Sequence, residues 1–191
     1  NPGDQVDALN ELAWDYRKSN VTLAKKLAVE ALETAQIEKY DQGEADAFSR
    51  LGVLFRSEGN NEEALQAFHR SLDIRREIGH ETGEGNALGS IGTTLLRIGE
   101  YERAIPRYKE ALVIFASLEN HQKAAHNYHR IGVCFEENKT FDSAGFYYRQ
   151  GLIEVDQIAS DTARLETNLL IWNSLGSLLW HTEKLDSARH Y

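Results

Sequence analysis

Residues 83–112, GEGNALGSIGTTLLRIGEYERAIPRYKEAL, decide the fold of this chain. In each half of the stretch, apolar residues recur at intervals of three and four, which is the spacing of one face of an α-helix. Gly99 separates the two halves and fits the position just after a helix, where a left-handed backbone is needed. The stretch therefore predicts a helix, a tight turn and a second helix.

Most of the chain repeats this stretch at a fixed interval. Gly92 serves as a marker, because Gly52 and Gly132 lie forty residues to either side of it. Gly176 follows Gly132 after forty-four residues. An alanine follows each marker glycine by twelve residues, and an aromatic residue follows three of them by sixteen. These residues are Ala64, Ala104, Ala144 and Ala188, and Phe68, Tyr108 and Tyr148. Such a period indicates a solenoid of stacked hairpins, since one hairpin cannot bury its apolar face alone.

These units resemble tetratricopeptide repeats in a longer, forty-residue form. The third unit matches the motif at Gly92, Leu95, Gly99, Tyr101, Ala104, Tyr108 and Ala111, and the second at Gly52, Phe55, Gly59, Ala64 and Phe68. The fourth unit keeps Gly132, Phe135, Phe141, Ala144 and Tyr148, but departs at Lys139, Gly145 and Gly151. The resemblance implies an all-α, right-handed superhelical solenoid of antiparallel helix-turn-helix repeats, with about five units, the last incomplete.

The period places the units at about residues 4–40, 41–80, 81–120, 121–160 and 161–191, and we expect them to form one elongated domain. Thr140 is expected to cap the second helix of the fourth unit. Pro106 is expected to be tolerated on the surface near a helix start. In the fifth unit, Leu185 and Ala188 are expected to begin a second helix.

Composition narrows the classes of partner. The net charge is −9 with a pI of about 5.3, and no block of Lys and Arg is present, so nucleic acid is not expected as a partner. No apolar run approaches the roughly 18 residues that span a bilayer, so no membrane contact is expected within this segment. The chain lacks methionine even at position 1, which indicates an excerpt from a longer protein. The compartment stays open, because the single cysteine, Cys134, fits either side of a membrane.

No catalytic signature is present, and we expect neither an enzyme nor a cofactor. The glycines fall at turns and packing points rather than in a phosphate-binding loop. The densest unusual cluster contains His121, His126, His129 and Cys134. A zinc site needs three or four converging ligands, and Cys134 is poorly aligned with His126 and His129. The cluster is therefore better explained as groove histidines and a buried thiol than as a metal site.

The family resemblance implies that the first helix of each unit lines a concave groove that receives a protein or peptide segment. Carried over by position, the candidate groove residues are Asn10, Trp14, Arg17, Ser49, Arg56, Thr93, Leu96, His129, Glu136, Asn173, Ser177 and Trp180, with Arg97 beside them. Arginine and tryptophan are frequent anchors of interfaces. The arginines of the N-terminal half offer positive charge on an acidic protein.

Two functions remain open at this stage. Residues 9–20, LNELAWDYRKSN, followed by an alanine-rich helix and forty-residue repeats, resemble the sensor or regulatory segments of bacterial signalling proteins such as histidine kinases, cyclases and transcription regulators. The alternative is a freestanding scaffold that assembles a protein complex. A sensor segment would be extracytoplasmic and a scaffold cytoplasmic, and a homodimer is left open in either case.

Overall fold

The computed structural model describes residues 2–189, with side chains described for residues 2–182. Over this range the chain forms nine α-helices and no strand. They are α1 (Pro2–Tyr16), α2 (Val21–Glu38), α3 (Asp41–Glu58), α4 (Asn61–Glu77), α5 (Glu81–Arg97), α6 (Tyr101–Ser117), α7 (His121–Glu137), α8 (Phe141–Val155) and α9 (Asp161–Arg189). The expected all-α helical-repeat fold is confirmed. None of these helices is both long and apolar enough to cross a bilayer, as far as the described residues extend.

The described residues divide into two compact parts, which we call unit 1 (up to Thr94) and unit 2 (from Leu95 onward). Each of these two units contains more than one of the forty-residue repeats. In unit 1, α1 pairs with α2 and α3 pairs with α4, and α1 also contacts α3. In unit 2, α7 packs against α6 and α8, and α9 contacts both α7 and α8. Successive helices of each unit therefore pack as the hairpin pattern predicts.

Small residues set how closely the paired helices approach. A Cβ atom at Gly52 would lie 2.6 Å from the ring of Phe68, and one at Gly132 would lie 2.4 Å from the ring of Tyr148. Both rings are fully buried. In these two hairpins the ring of the aromatic residue packs on the marker glycine sixteen positions earlier, which explains why the sequence repeats the pair.

The turns between helices share one geometry at intervals of twenty residues. A left-handed residue ends six successive helices, with φ between 51° and 86°. These residues are Lys39, Gly59, Gly79, Gly99, Glu119 and Lys139. After each one, the next backbone N–H donates to the carbonyl oxygen five residues back, at 2.8–2.9 Å, as from Asn60 to Phe55 and from Thr140 to Phe135. This bond closes the helix end.

Two local predictions need correction. Thr140 does occupy the cap position of α8, but its side chain makes no capping bond, and its hydroxyl instead donates to the Phe135 carbonyl at 2.9 Å. The fifth unit does not begin a second helix at Leu185, because α9 continues without a turn to Arg189. Residues 177–189 contain no Gly, Pro or Asn, so nothing in the local sequence ends the helix there.

Candidate functional site

The most distinctive surface of unit 1 is built around Trp14 on α1. The guanidinium carbon of Arg17 lies 3.7 Å from the centroid of the Trp14 ring, and that of Arg50, on α3, lies 4.7 Å from it. Both distances suit cation–π attraction. The tryptophan keeps 37% of its surface exposed. We call Trp14, Arg17, Arg50 and the neighbouring Asp46 the Trp14 face.

Contacts between α1 and α3 hold this face in place. The buried side chain of Asn10 donates through Nδ2 to the carbonyl oxygen of Gly43 at 3.1 Å. Gly43 permits the approach, because a Cβ there would lie 2.5 Å from Val6. The Arg17 guanidinium also donates to the Trp14 carbonyl oxygen at 2.5 Å. Asn10 thus aligns the two helices rather than facing solvent.

The carboxylate of Asp46 is held by an arginine on α4, the second helix of the same repeat. Arg75, on α4, is buried and donates from Nη2 to Asp46 Oδ1 at 2.5 Å, while its Nη1 lies 2.6 Å from Nδ1 of His80. Gly83 leaves room for this arginine, since a Cβ there would lie 2.2 Å from Nη1. Gln42 donates to the other oxygen of Asp46 at 3.0 Å. Both carboxylate oxygens of Asp46 therefore accept hydrogen bonds from within the protein.

The side chain of Arg50 is charged and half-buried. Burial lowers the pKa of the guanidinium from its ordinary value, and the negative charge of Asp46 acts in the opposite direction. Its buried Nε has no hydrogen-bond partner. Since Arg75 already occupies Asp46, Arg50 is a cation with unused hydrogen-bonding capacity beside an exposed aromatic ring. Such a pair suits a carboxylate-bearing ligand.

The other candidate side chains in unit 1 make hydrogen bonds within the protein. The Ser49 hydroxyl lies 2.8 Å from that of Ser71, and Thr93 donates to the Gly89 carbonyl oxygen at 2.8 Å. Arg56 donates to the Ser90 carbonyl oxygen at 3.2 Å, and its guanidinium lies 5.2 Å from the Phe68 ring centroid. The structure brings Trp14 and Arg17 together with Arg50, while Arg56 bridges α3 and α5.

The candidates in unit 2 fall into exposed and enclosed groups. Arg97, Asn173, Ser177 and Trp180 are exposed, and Leu96 is half-buried. His129 is buried, with only 4% of its surface exposed, and Glu136 is half-buried. His129 Nε2 lies 2.9 Å from Ser174 Oγ, and the Tyr148 hydroxyl donates to Glu136 Oε2 at 2.5 Å.

His129, Tyr148, Glu136 and Ser174 form a polar network within unit 2, in which His129 is neutral. Burial lowers the pKa of His129 to about 4, with the charge of Arg130 adding to the effect. Its ring stacks on that of Tyr148 at a centroid distance of 5.6 Å. Burial also raises the pKa of the Tyr148 hydroxyl, and the carboxylate of Glu136 adds to this. The network therefore positions α7, α8 and α9 relative to one another and is not poised for proton transfer at neutral pH.

The histidine and cysteine cluster is dispersed over separate contacts. His121 Nδ1 pairs with Glu154 at 2.8 Å, His129 contacts Ser174, and Cys134 is fully buried. Burial raises the pKa of the Cys134 thiol to about 12, so this thiol stays protonated and is a poor nucleophile. Over the described part of the chain, no three His, Cys, Asp or Glu side chains are grouped to hold a metal ion.

Sequence reasoning missed Arg50, Asp46 and Arg75. Arg50 lies two residues before its marker glycine, a place where unit 2 has Arg130, but the positions carried over from the family lie three before and one and four after. Arg75 lies on a second helix, where an exposed charge is the ordinary expectation. Its signal was indirect: Gly83 supplies the space that this side chain occupies.

Comparison with known proteins agrees with this architecture. Residues 43–117 match the model of a tetratricopeptide-repeat family. The uncharacterised protein ycf37 of Guillardia theta is 31% identical over 142 residues, which cover 70% of this chain and 74% of that protein. The chain belongs to the tetratricopeptide-repeat family. The expected family and its general role as a protein-interaction domain are thereby confirmed.

A second relative is larger than this chain. Subunit 4 of the outer dynein arm-docking complex of Danio rerio is 24% identical over 163 residues, covering 84% of this chain and 33% of that subunit. The chain thus spans about a third of the dynein-docking relative that it matches.

Solved structures with this fold include a phosphatase, a Rap protein and an ATPase with a repeat sensor. Aspartyl phosphate phosphatase F of Bacillus subtilis superposes with a TM-score of 0.81 at 17% identity, over 98% of this chain and 51% of that one. A Rap protein in complex with the competence and sporulation factor gives 0.80 at 18%, over 98% and 54%. A signal-transduction ATPase of Pyrococcus horikoshii with a tetratricopeptide-repeat sensor gives 0.77 at 17%, over 100% and 31%. These likenesses concern the fold.

Proposed function

We propose that this chain is a non-catalytic domain that binds an acidic protein or peptide segment at the Trp14 face. The observation that carries the proposal is a partly exposed tryptophan on α1 whose ring is contacted by the guanidinium groups of Arg17 and of Arg50 on α3. The whole protein carries a net charge of −9, so this face is a local exception to its acidity. A flat aromatic ring gives contact area, and the two guanidinium groups give charge-assisted hydrogen bonds.

We further propose that the domain is the sensor or regulatory part of a bacterial signalling protein. Two of the similar folds support this: one belongs to a signalling ATPase whose repeats are named as its sensor, and another is a Rap protein in complex with the competence and sporulation factor. We also infer that residues 1–191 act as one domain of about five repeats, which the forty-residue period supports.

A scaffold function is the second candidate, and the dynein-docking relative favours it. The coding region on both sides of residues 1–191 distinguishes the two. A membrane span with a kinase or cyclase module supports the sensor, whereas further repeats without an output module support the scaffold.

Selection from a library of random linear peptides tests the binding proposal. We expect the wild-type chain to enrich peptides rich in Asp and Glu or ending in a free carboxylate. Fluorescence anisotropy with the enriched peptides should show a loss of affinity of about thirtyfold for Trp14→Ala or Arg17→Gln, the size expected of an interface anchor.

Arg70→Gln is the matched control, because Arg70 is an exposed arginine on α4 that does not belong to the Trp14 face. Its affinity should stay within about twofold of wild type, as expected of a charge outside the interface. Equal losses for Arg17→Gln and Arg70→Gln would show that only net charge matters and would reject the Trp14 face as the site.

A further inference from the structure

The outer side of α9 carries a row of apolar side chains that the described residues leave uncovered. Leu165, Leu169, Trp172 and Leu179 are 60%, 55%, 58% and 60% exposed, and Gly176 lies between the last two. Alternating intervals of four and three residues place all five on one side of the helix. We call these five residues the α9 stripe. A different side of α9, with Ile171, Leu175 and Leu178, packs into the core of unit 2.

The repeats themselves show what such a surface receives. Gly52 and Gly132 lie at the same repeat position as Gly176, and each has an aromatic ring seated on it, from Phe68 and Tyr148 respectively. A Cβ added at Gly176 would meet nothing within 4 Å. The α9 stripe therefore presents an aromatic seat of the same kind as those filled in the earlier repeats.

We propose that a second copy of this chain covers the stripe, with the two α9 helices antiparallel and Trp172 of each copy seated on Gly176 of the other. The spacing of the stripe supports this register. Reversal about position 174 exchanges Trp172 with Gly176 and Leu169 with Leu179, so these three large side chains meet suitable partners, and Leu165 lies outside the paired segment of residues 169–179. A parallel pair would place tryptophan against tryptophan and glycine against glycine, which leaves a clash and a gap.

The charge pattern also suits a self-contact. A two-fold interface brings residues that lie near its axis close to their own copies, so like charges there repel. Residues 167–182 contain no Asp, Glu, Lys or Arg, although the chain as a whole is 27% charged. This uncharged span is about 24 Å of helix at the usual rise per residue, which is long enough to contain the contact from Leu169 to Leu179.

One helix from each copy makes a small interface, so the dimer should be weak. We expect a dissociation constant of about 10–100 µM, the range of interfaces that bury less than the standard area. Sedimentation velocity of the chain of residues 1–191, from about 1 µM to about 500 µM, should show a monomer that converts to a dimer. The proposal is overturned if the chain stays monomeric throughout, which would assign the stripe to a helix of a different protein or chain segment.

Two variants locate the contact. Leu169→Glu combined with Leu179→Glu places charges in the interface and should raise the dissociation constant at least about a hundredfold. Val113→Glu is the matched control, since Val113 is 71% exposed on α6, and should leave association unchanged. Gly176→Ala should weaken the dimer without lowering the melting temperature of the monomer, because the added Cβ has free space within the chain.

Cross-linking tests the register in a Cys134→Ala background. Copies with Leu169→Cys mixed with copies carrying Leu179→Cys should form disulfides across the pair. Neither variant alone should do so, because its two cysteines would lie about 15 Å apart along the axis. Disulfides within the Leu169→Cys protein alone would indicate a parallel pair and contradict the proposal. The peptide affinity of the Leu169→Glu, Leu179→Glu variant is measured in parallel, so that failure of the dimer and failure of the Trp14 face are read separately.

Discussion

His129 shows how one buried residue couples the stability of unit 2 to pH. Its pKa is lowered to about 4 by burial, against about 6.5 in an unfolded chain. Between these values the unfolded state binds the proton and the folded state does not, so stability falls as pH falls below about 6.5. The loss is complete near pH 4 and amounts to about 3 kcal/mol for this residue. The half-buried His126, whose pKa is also lowered, mainly by desolvation, adds to the loss with the same sign.

We therefore expect His129→Gln to flatten the decline of stability with acidity. The amide can retain the contact with Ser174, but it does not titrate. Urea unfolding at pH 7.0, 6.0 and 5.0 measures the free energy at each pH. The control variant Ser174→Ala removes the hydrogen-bond partner but keeps the imidazole of His129, so its decline with acidity should follow that of the wild type. A wild-type slope that persists in His129→Gln would contradict the assignment.

Gly132 is expected to be intolerant of a side chain. An added methyl group would lie 2.4 Å from the Tyr148 ring, so Gly132→Ala should destabilise the protein by about 1–3 kcal/mol, the usual cost of overpacking. Gly145→Ala is the matched control on α8. Its Cβ would meet only the Arg149 end at 3.3 Å and Leu178 at 3.4 Å, so helix propensity should give a gain of up to about 1 kcal/mol. Similar losses in both variants would show that the aromatic seat is not what matters.

At the level of the helices, the turns show where sequence reasoning succeeds and where it stops. The sequence predicts a turn at Gly99, because glycine adopts a left-handed backbone without strain. Lys39, Glu119 and Lys139 adopt the same geometry, but their side chains give no local signal of it. Packing of neighbouring helices imposes the turn there. Conversely, α9 does not turn where the repeat pattern predicted a second helix, since its local sequence carries no helix-ending residue.

This difference leads to a stability prediction for the turns. Lys139→Gly should stabilise the protein by about 1 kcal/mol, because a non-glycine residue pays roughly that amount in the left-handed region. The melting temperature should rise by about 2–4 °C for a chain of this size. Lys26→Gly, in the middle of α2, is the control and should lower stability by about 1 kcal/mol. A loss in both variants would show that the Lys139 turn is not strained.

For the molecule as a whole, the repeat made the architecture predictable and the proposed binding surface only partly so. The forty-residue period arises from the packing of paired helices, because the same residue types pack at the same positions in each repeat. Trp14 and Arg17 followed from their repeat positions, but Arg50 and Asp46 required the contacts between α1, α3 and α4. Contacts between helices far apart in sequence leave no local pattern, so the sequence alone could not identify them.

Truncation tests whether stability is distributed over the repeats. A chain ending at Ser160 loses α9 and with it Ile171, Leu175 and Leu178 from the core of unit 2. We expect a folded protein with a lower melting temperature, because repeat stability is approximately a sum over neighbouring elements. Circular dichroism and thermal unfolding measure the effect. Complete loss of helicity would contradict a distributed stability.

The central claim is that a ligand binds at the Trp14 face. The chain has three tryptophans, Trp14, Trp172 and Trp180, whose indole N–H resonances can be assigned by single Trp→Phe substitutions. Titration of the ¹⁵N-labelled chain with a selected acidic peptide should shift the Trp14 resonance in a saturable way and leave that of Trp172 in place. Saturable binding with an unmoved Trp14 resonance would contradict the account.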